Sequence, residues 1–138
     1  SGLLGLVTQI CSIIAGGNTC VVLASEHLPL CAISFSEVIA TSDVPNGVVN
    51  ILTGKIAELN AVFSSHMNVN ALLYCGSDTA VIKAIQDLAV DNIKRVIIRE
   101  NGDYVDEKHE NLHYIYDFQE TKTTWHPIEQ IGGAGSGY

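Results

Sequence analysis

The chain has 138 residues, 47% of them hydrophobic, which suits one domain with a real core. Its 15 acidic residues against 7 basic ones give a formal net charge of −8. That balance repels nucleic acid and anionic lipid, so neither is expected as a partner.

The apolar opening from Leu3 to Ala15 has no basic stretch before it and is too short to span a bilayer, so neither a secretory leader nor a membrane helix is expected. The first residue is Ser rather than Met, which hints at a fragment. Cys11, Cys20, Cys31 and Cys75 form no C-x-x-C pair, and each sits in an apolar run where cysteine behaves as a small hydrophobe. Buried, reduced thiols are expected, and with them a reducing, cytoplasmic setting.

In chain order, Leu3, Leu4, Leu6, Val7, Ile10, Ile13 and Ile14 recur at helical spacing, and Gly16-Gly17-Asn18 supplies the stop. The run Cys20 to Ala24 is short, continuous and β-branched, the look of a strand covered on both faces. Pro29 can open a helix, and Leu30, Ile33, Ser34, Glu37, Val38 and Ile39 give a three-four pattern that stops at Thr41-Ser42-Asp43. After a turn at Pro45-Asn46-Gly47, Val48 to Gly54 reads as a strand and Lys55 to Ser65 as a helix. The unit then repeats: strand Ala71 to Cys75, a Gly76-Ser77 turn, a helix carrying Val81, Ile82, Ile85, Leu88 and Ala89, and strand Lys94 to Arg99. Strands alternating with helices of this length predict an α/β fold, a Rossmann-like parallel sheet with flanking helices and right-handed crossovers.

Beyond Arg99, Glu100, Asp103, Asp106, Glu107, Lys108 and Glu110 crowd around Gly102 as a solvated loop. Leu112 to Trp125 alternates aromatic and β-branched residues with polar ones, which predicts a C-terminal antiparallel or edge strand or hairpin. The expected organisation is an α/β domain over 1–102, a loop and closing strand over 103–130, and a flexible Gly-rich tail over 131–138.

The residues carry a family resemblance. "AGGNTCVVLASEHLPL" is similar to the aldehyde dehydrogenase pattern A-x-G-N-T-V-V-x-K-P-S-E-x-x-P-L, and "DVPNGVVNILTG" to L-P-x-G-V-V-N-x-V-x-G. In order along the chain, "YCGSD" sits where that family has F-T-G-S, "NIKRVIIRENG" where it has N-L-K-R-V-x-x-E-L-G-G, and "FQETKTTW" resembles its closing strand. The resemblance implies a domain of the kind that binds NAD. It places Glu26 at the ribose hydroxyls, Gly54 where backbone passes the adenine, and Gly76 and Ser77 at the pyrophosphate. It also puts the family's general-base glutamate on Arg99. The lysine of K-P-S-E has no counterpart, and Asp78 stands where an anion would sit.

In that family a thiolate between the E-L-G-G strand and the closing strand attacks the substrate. No cysteine follows Cys75 in this chain, so no catalytic residue is assigned and the chain alone is not expected to be an enzyme. Gly76-Ser77-Asp78 reads first as a tight turn with a helix N-cap, and second as a phosphate site. No cofactor is expected on the first reading; NAD is the candidate on the second. His66, His109, His113 and His126 have no metal-ligand spacing and read as exposed, so no metal is expected.

Leu112, Tyr114, Tyr116, Phe118 and Trp125 read as a packing face. By the resemblance, that closing strand pairs with a second copy, as in a dimer, or with an upstream catalytic module. The chain resembles most the non-catalytic second module of family 16 aldehyde dehydrogenases. Its expected role is assembly or scaffolding within a larger, NAD-dependent aldehyde dehydrogenase chain. The alternative is a residual NAD(P)-binding module, and last comes an enzyme that borrows its nucleophile from another chain.

Overall fold

A computed structural model describes residues 2–100 and 102–125. Helix α1 (Gly2–Ala15) buries Gln9, Ile10 and Ser12. It ends at the expected glycines: Gly17 takes φ +80°, the left-handed region open to a residue without Cβ, and its N–H donates to the carbonyl of Ile14 at 2.9 Å.

Strand β1 (Cys20–Leu23), helix α2 (Pro29–Ala40) and strand β2 (Val49–Leu52) form one β-α-β unit, with β1 and β2 parallel and Cys20 opposite Val49. Pro29 starts α2, where a missing N–H costs nothing. Before β2, Val48 N–H donates to Pro45 at 3.2 Å across a turn in which Gly47 holds φ +85°. Helix α3 (Ile56–Ser65) leads to a second unit: β3 (Ala71–Cys75), α4 (Thr79–Ala89) and β4 (Arg95–Arg99). β3 and β4 are parallel, Cys75 opposite Arg99, and α3 packs along α4.

The alternation of strands and helices and the parallel pairing are those the sequence implies. The strands fall, however, into two separate parallel pairs, β1-β2 and β3-β4, with no ladder from β1 to β3. The buried apolar side chains are Ile10, Cys20, Ala24, Ala32, Ile85 and Ala89, most of them small. Val21 is 51% exposed, so β1 is not covered on both faces as its composition suggests. The four cysteines are free, but Cys11 lies on the exposed side of α1 and only Cys20 is fully buried.

The larger departure lies in the closing segment. Among the described residues, Leu112 to Trp125 forms no strand; it makes a one-turn helix, α5 (His113–Tyr116), followed by residues without regular structure. A strand must find ladder partners on a neighbour, whereas a helical turn satisfies its own backbone. Tyr116 N–H donates to Leu112 at 3.1 Å, Asp117 to His113 at 2.9 Å and Gln119 to Tyr116 at 2.9 Å, while Asn111 Oδ1 accepts from His113 N–H at 2.9 Å. The last part of the expected 103–130 segment, and the 131–138 tail, lie outside the described residues.

Candidate functional site

The residues singled out by sequence, Glu26, Gly54, Gly76 and Ser77, all follow the carboxyl end of a strand, the end at which open α/β sheets bind ligands. Pairing of β1 with β2 brings Glu26 to Gly54. Glu26 Oε1 accepts a 2.6 Å bond from the N–H of Ile56, the first residue of α3, whose flanking Lys55 supplies no side-chain cap. The carboxylate thus stabilises the α3 dipole and one of its otherwise unpaired N–H groups. At Gly54 a Cβ would lie 2.9 Å from Leu59 Cδ1, so the side chain of α3 already approaches that backbone.

Gly76 and Ser77 sit together at the end of β3, on the other strand pair. Gly76 is buried, and its N–H donates to the carbonyl of Arg99 at 2.9 Å. A Cβ there would fall 2.6 Å from Tyr74 Oη and 2.7 Å from its Cζ. The glycine therefore makes room for the chain's own phenol. Ser77 is exposed. Asp78 Oδ1 accepts from Ala80 N–H at 2.9 Å and Val81 N–H at 3.3 Å at the start of α4. These are donors of the kind a phosphate would take at a helix N-terminus, and a carboxylate holds them. Asp78 and Tyr74 thus occupy the turn with the chain's own groups.

A second cluster gathers around Arg99 at the end of β4. Its guanidinium, 10% exposed, pairs with Asp117 at 2.6 Å, lies 3.9 Å over the Tyr114 ring and 5.7 Å from the Phe118 ring, and donates to Gln9 Oε1. Tyr104 meets Gln9 Nε2 at 3.4 Å and stacks at 4.7 Å on His109, whose Nδ1 lies 2.7 Å from Tyr114 Oη. His109 is thus half-buried in the cluster rather than exposed; His66 and His113 are exposed as expected, and His126 lies outside the described residues.

Burial pushes the Cys75 thiol up, only partly offset by its hydrogen bond with Tyr104 and the Arg99 charge. A thiol kept protonated is a poor nucleophile. Local spacing gave no sign of Gln9, Tyr104, His109 or Asp117, because the bond from Arg99 to Gln9 joins residues 90 apart in sequence.

Elsewhere an open depression of about 500 Å³, lined by Ile14, Asn18, Ser42, Val44, Pro45 and Val48, lies at the amino ends of β1 and β2, the opposite end from Glu26 and Gly54. Among the described residues no group of three or more His, Cys, Asp or Glu could hold a metal ion, and no helix is long and apolar enough to cross a membrane.

Comparison with known proteins gives this arrangement its context. The model of the aldehyde dehydrogenase family matches residues 2–103. Aldehyde dehydrogenase 1A1 of Rattus norvegicus is 38% identical over 101 residues, covering 72% of this chain and 20% of that protein. An aldehyde dehydrogenase of Emericella nidulans is 32% identical over 89 residues, or 64% of this chain and 18% of that protein. The crystal structure of an aldehyde dehydrogenase from Bartonella henselae superposes with a TM-score of 0.65 at 29% identity, covering 70% of this chain and 20% of that one. The chain spans about a fifth of the length of these relatives. With the family pattern running through both β-α-β units, this chain belongs to the aldehyde dehydrogenase family.

Proposed function

We propose that this chain is a non-catalytic aldehyde-dehydrogenase-like module serving assembly, by oligomerisation or scaffolding, within a longer aldehyde dehydrogenase protein of the cytoplasm. The observation that carries the non-catalytic half is the occupation of the strand ends by the chain's own groups: Asp78 on α4, Glu26 on α3, and Tyr74 over Gly76. Arg99, where the resemblance puts the family's general base, is paired with Asp117, and a guanidinium carries no acceptor atom to act as a base. No cysteine follows Cys75 within the chain, and Cys75 itself is held as the thiol.

The assembly half rests on Leu112, Tyr116 and Trp125, which are 68%, 64% and 91% exposed. Apolar side chains so exposed in one segment favour a partner surface. Tyr114 and Phe118, read from sequence as part of the same face, are half-buried against Arg99. The partner is a second copy or the catalytic module of the same chain, as the likeness to the second module of family 16 enzymes suggests. Light scattering during gel filtration is expected to find a dimer that grows with concentration; a monomer throughout, with no affinity for the catalytic module, defeats the reading.

The second reading is a residual NAD(P)-binding module. It is favoured by Ser77, exposed in the turn between β3 and α4. Calorimetric titration with NAD and NADP decides between the two. No heat at millimolar cofactor is expected; tight binding lost in Ser77→Ala would reverse the choice. Aldehyde oxidation by the whole parent protein, and its absence from this chain alone, tests whether a nucleophile is borrowed.

A further inference from the structure

We propose that Asn46 is a site of spontaneous modification, at which water converts the side-chain amide to aspartate and isoaspartate through a cyclic imide formed with Gly47. The chain carries two Asn-Gly pairs, Asn46-Gly47 and Asn101-Gly102, and the structure favours the first.

The reaction needs an unshielded backbone nitrogen after the amide. The nitrogen of Gly47 attacks Asn46 Cγ, the Cγ–Nδ2 bond breaks, and ammonia leaves with the proton that Gly47 gives up. Water then opens the imide. Cleavage of the new N–Cγ bond gives aspartate in a normal backbone. Cleavage at the original peptide carbonyl gives isoaspartate, with the main chain routed through Cβ and Cγ. Nothing is oxidised or reduced, and water is the sole co-reactant. A Cβ on the second residue would crowd the attacking nitrogen and narrow its φ, so glycine is the residue that permits the attack.

Asn46 and Gly47 are both exposed, between α2 and β2. They are the two central residues of the turn closed by Val48 N–H on the carbonyl of Pro45 at 3.2 Å. Gly47 holds φ +85°, and a Cβ built on it meets nothing within 4 Å. Among the described residues, neither the Asn46 amide nor the Gly47 N–H has a hydrogen-bond partner. Attack requires rotation about the Cα–C bond of Asn46. Two bonds resist it, the 3.2 Å turn bond and one from Asn50 Nδ2 to the carbonyl of Gly47 at 2.8 Å. Both lie at an exposed tip, where local opening is inexpensive.

The second pair differs. Asn101 lies outside the described residues, but Gly102 is half-buried, and a Cβ on it would fall 2.9 Å from His109 Nε2. Its surroundings are packed where those of Gly47 are open. The product at Asn46 also has a structural consequence. The carbonyl of Val48 accepts from Cys20 N–H at 2.8 Å and Val49 stands opposite Cys20, so the lengthened backbone of isoaspartate enters just before the β1–β2 ladder.

The test is peptide mass spectrometry of the full chain after incubation in mildly alkaline buffer, with ammonia release followed alongside. The peptide bearing Asn46 is expected to gain the mass of an amide-to-acid exchange severalfold faster than the one bearing Asn101. It should also become a methyl acceptor for an isoaspartyl methyltransferase. Asn46→Gln, whose attack would need a larger ring, should lose that mass gain and its share of the ammonia, with circular dichroism checking that it folds. In guanidinium chloride the fold no longer separates the pairs, and their rates should converge. Conversion at Asn101 first or at an equal rate in the folded chain overturns the proposal. So does an unchanged Asn46 in the folded chain, whether or not the unfolded chain converts there.

Discussion

Asp78 ties the first turn of α4 by accepting from the N–H groups of Ala80 and Val81. Asp78→Ala is expected to lower stability by about 1 kcal/mol, and Asp78→Ser by less, in urea unfolding. The cap was legible because an N-cap acts over two or three residues. Lys94 is a different case. It is 7% exposed, and its Nζ donates to the carbonyls of Phe63 at 2.8 Å and His66 at 3.0 Å, closing the end of α3. Burial pushes its ammonium pKa down, yet the two carbonyls leave it paired. Lys94→Met should cost about 2 kcal/mol in the same measurement, because both acceptors lose a charged donor. A lysine in "NIKR" gave no hint of this, since its partners are some 30 residues earlier in the chain.

At the scale of elements, the β-α-β units were legible from periodicity and turn residues, and α5 was not. Alternation over Leu112 to Trp125 describes a face that a strand would present, but a strand also needs an edge to pair with. Arg95, Arg99 and Asn18 reward the folded-back turn instead. The strands also carry a pH dependence. Burial raises the pKa of Cys20 in β1, Cys75 in β3 and the neighbouring Tyr104. Between the unfolded and folded values, the folded chain keeps protons that the unfolded chain has lost, so stability falls as pH rises. Lys94, lowered by burial, acts in the opposite direction, one group against three. Urea midpoints are expected to drop above about pH 8.5–9, and Cys75→Ala should flatten part of that drop. A profile that stays level or rises would show that these groups titrate as in the open chain.

For the whole molecule, the two strand pairs are separate ladders; α1 contacts β1, α2 and α5, and Gln9 reaches Arg99. The single tryptophan, Trp125, is 91% exposed and lies in the proposed interface segment. Its emission should be that of a solvated indole in dilute solution, open to a soluble quencher. It should shift to the blue and lose quenching as concentration rises; a spectrum that does not change while scattering reports a dimer would place the interface elsewhere.

By itself the sequence determined helices α1 to α4, strands β1 to β4, their parallel pairing and the family resemblance, because hydrophobic period, glycine turns and a proline start act within a few residues. It also determined that Asp78 meets α4. Only the tertiary structure decided that Glu26 caps α3, that Tyr74 fills the space at Gly76, that Arg99 is held by Asp117, and that the closing segment is helical. Most of those outcomes depend on which distant groups the fold places beside one another, and hydrogen bonds and ion pairs reach only about 3 Å whatever the separation along the chain.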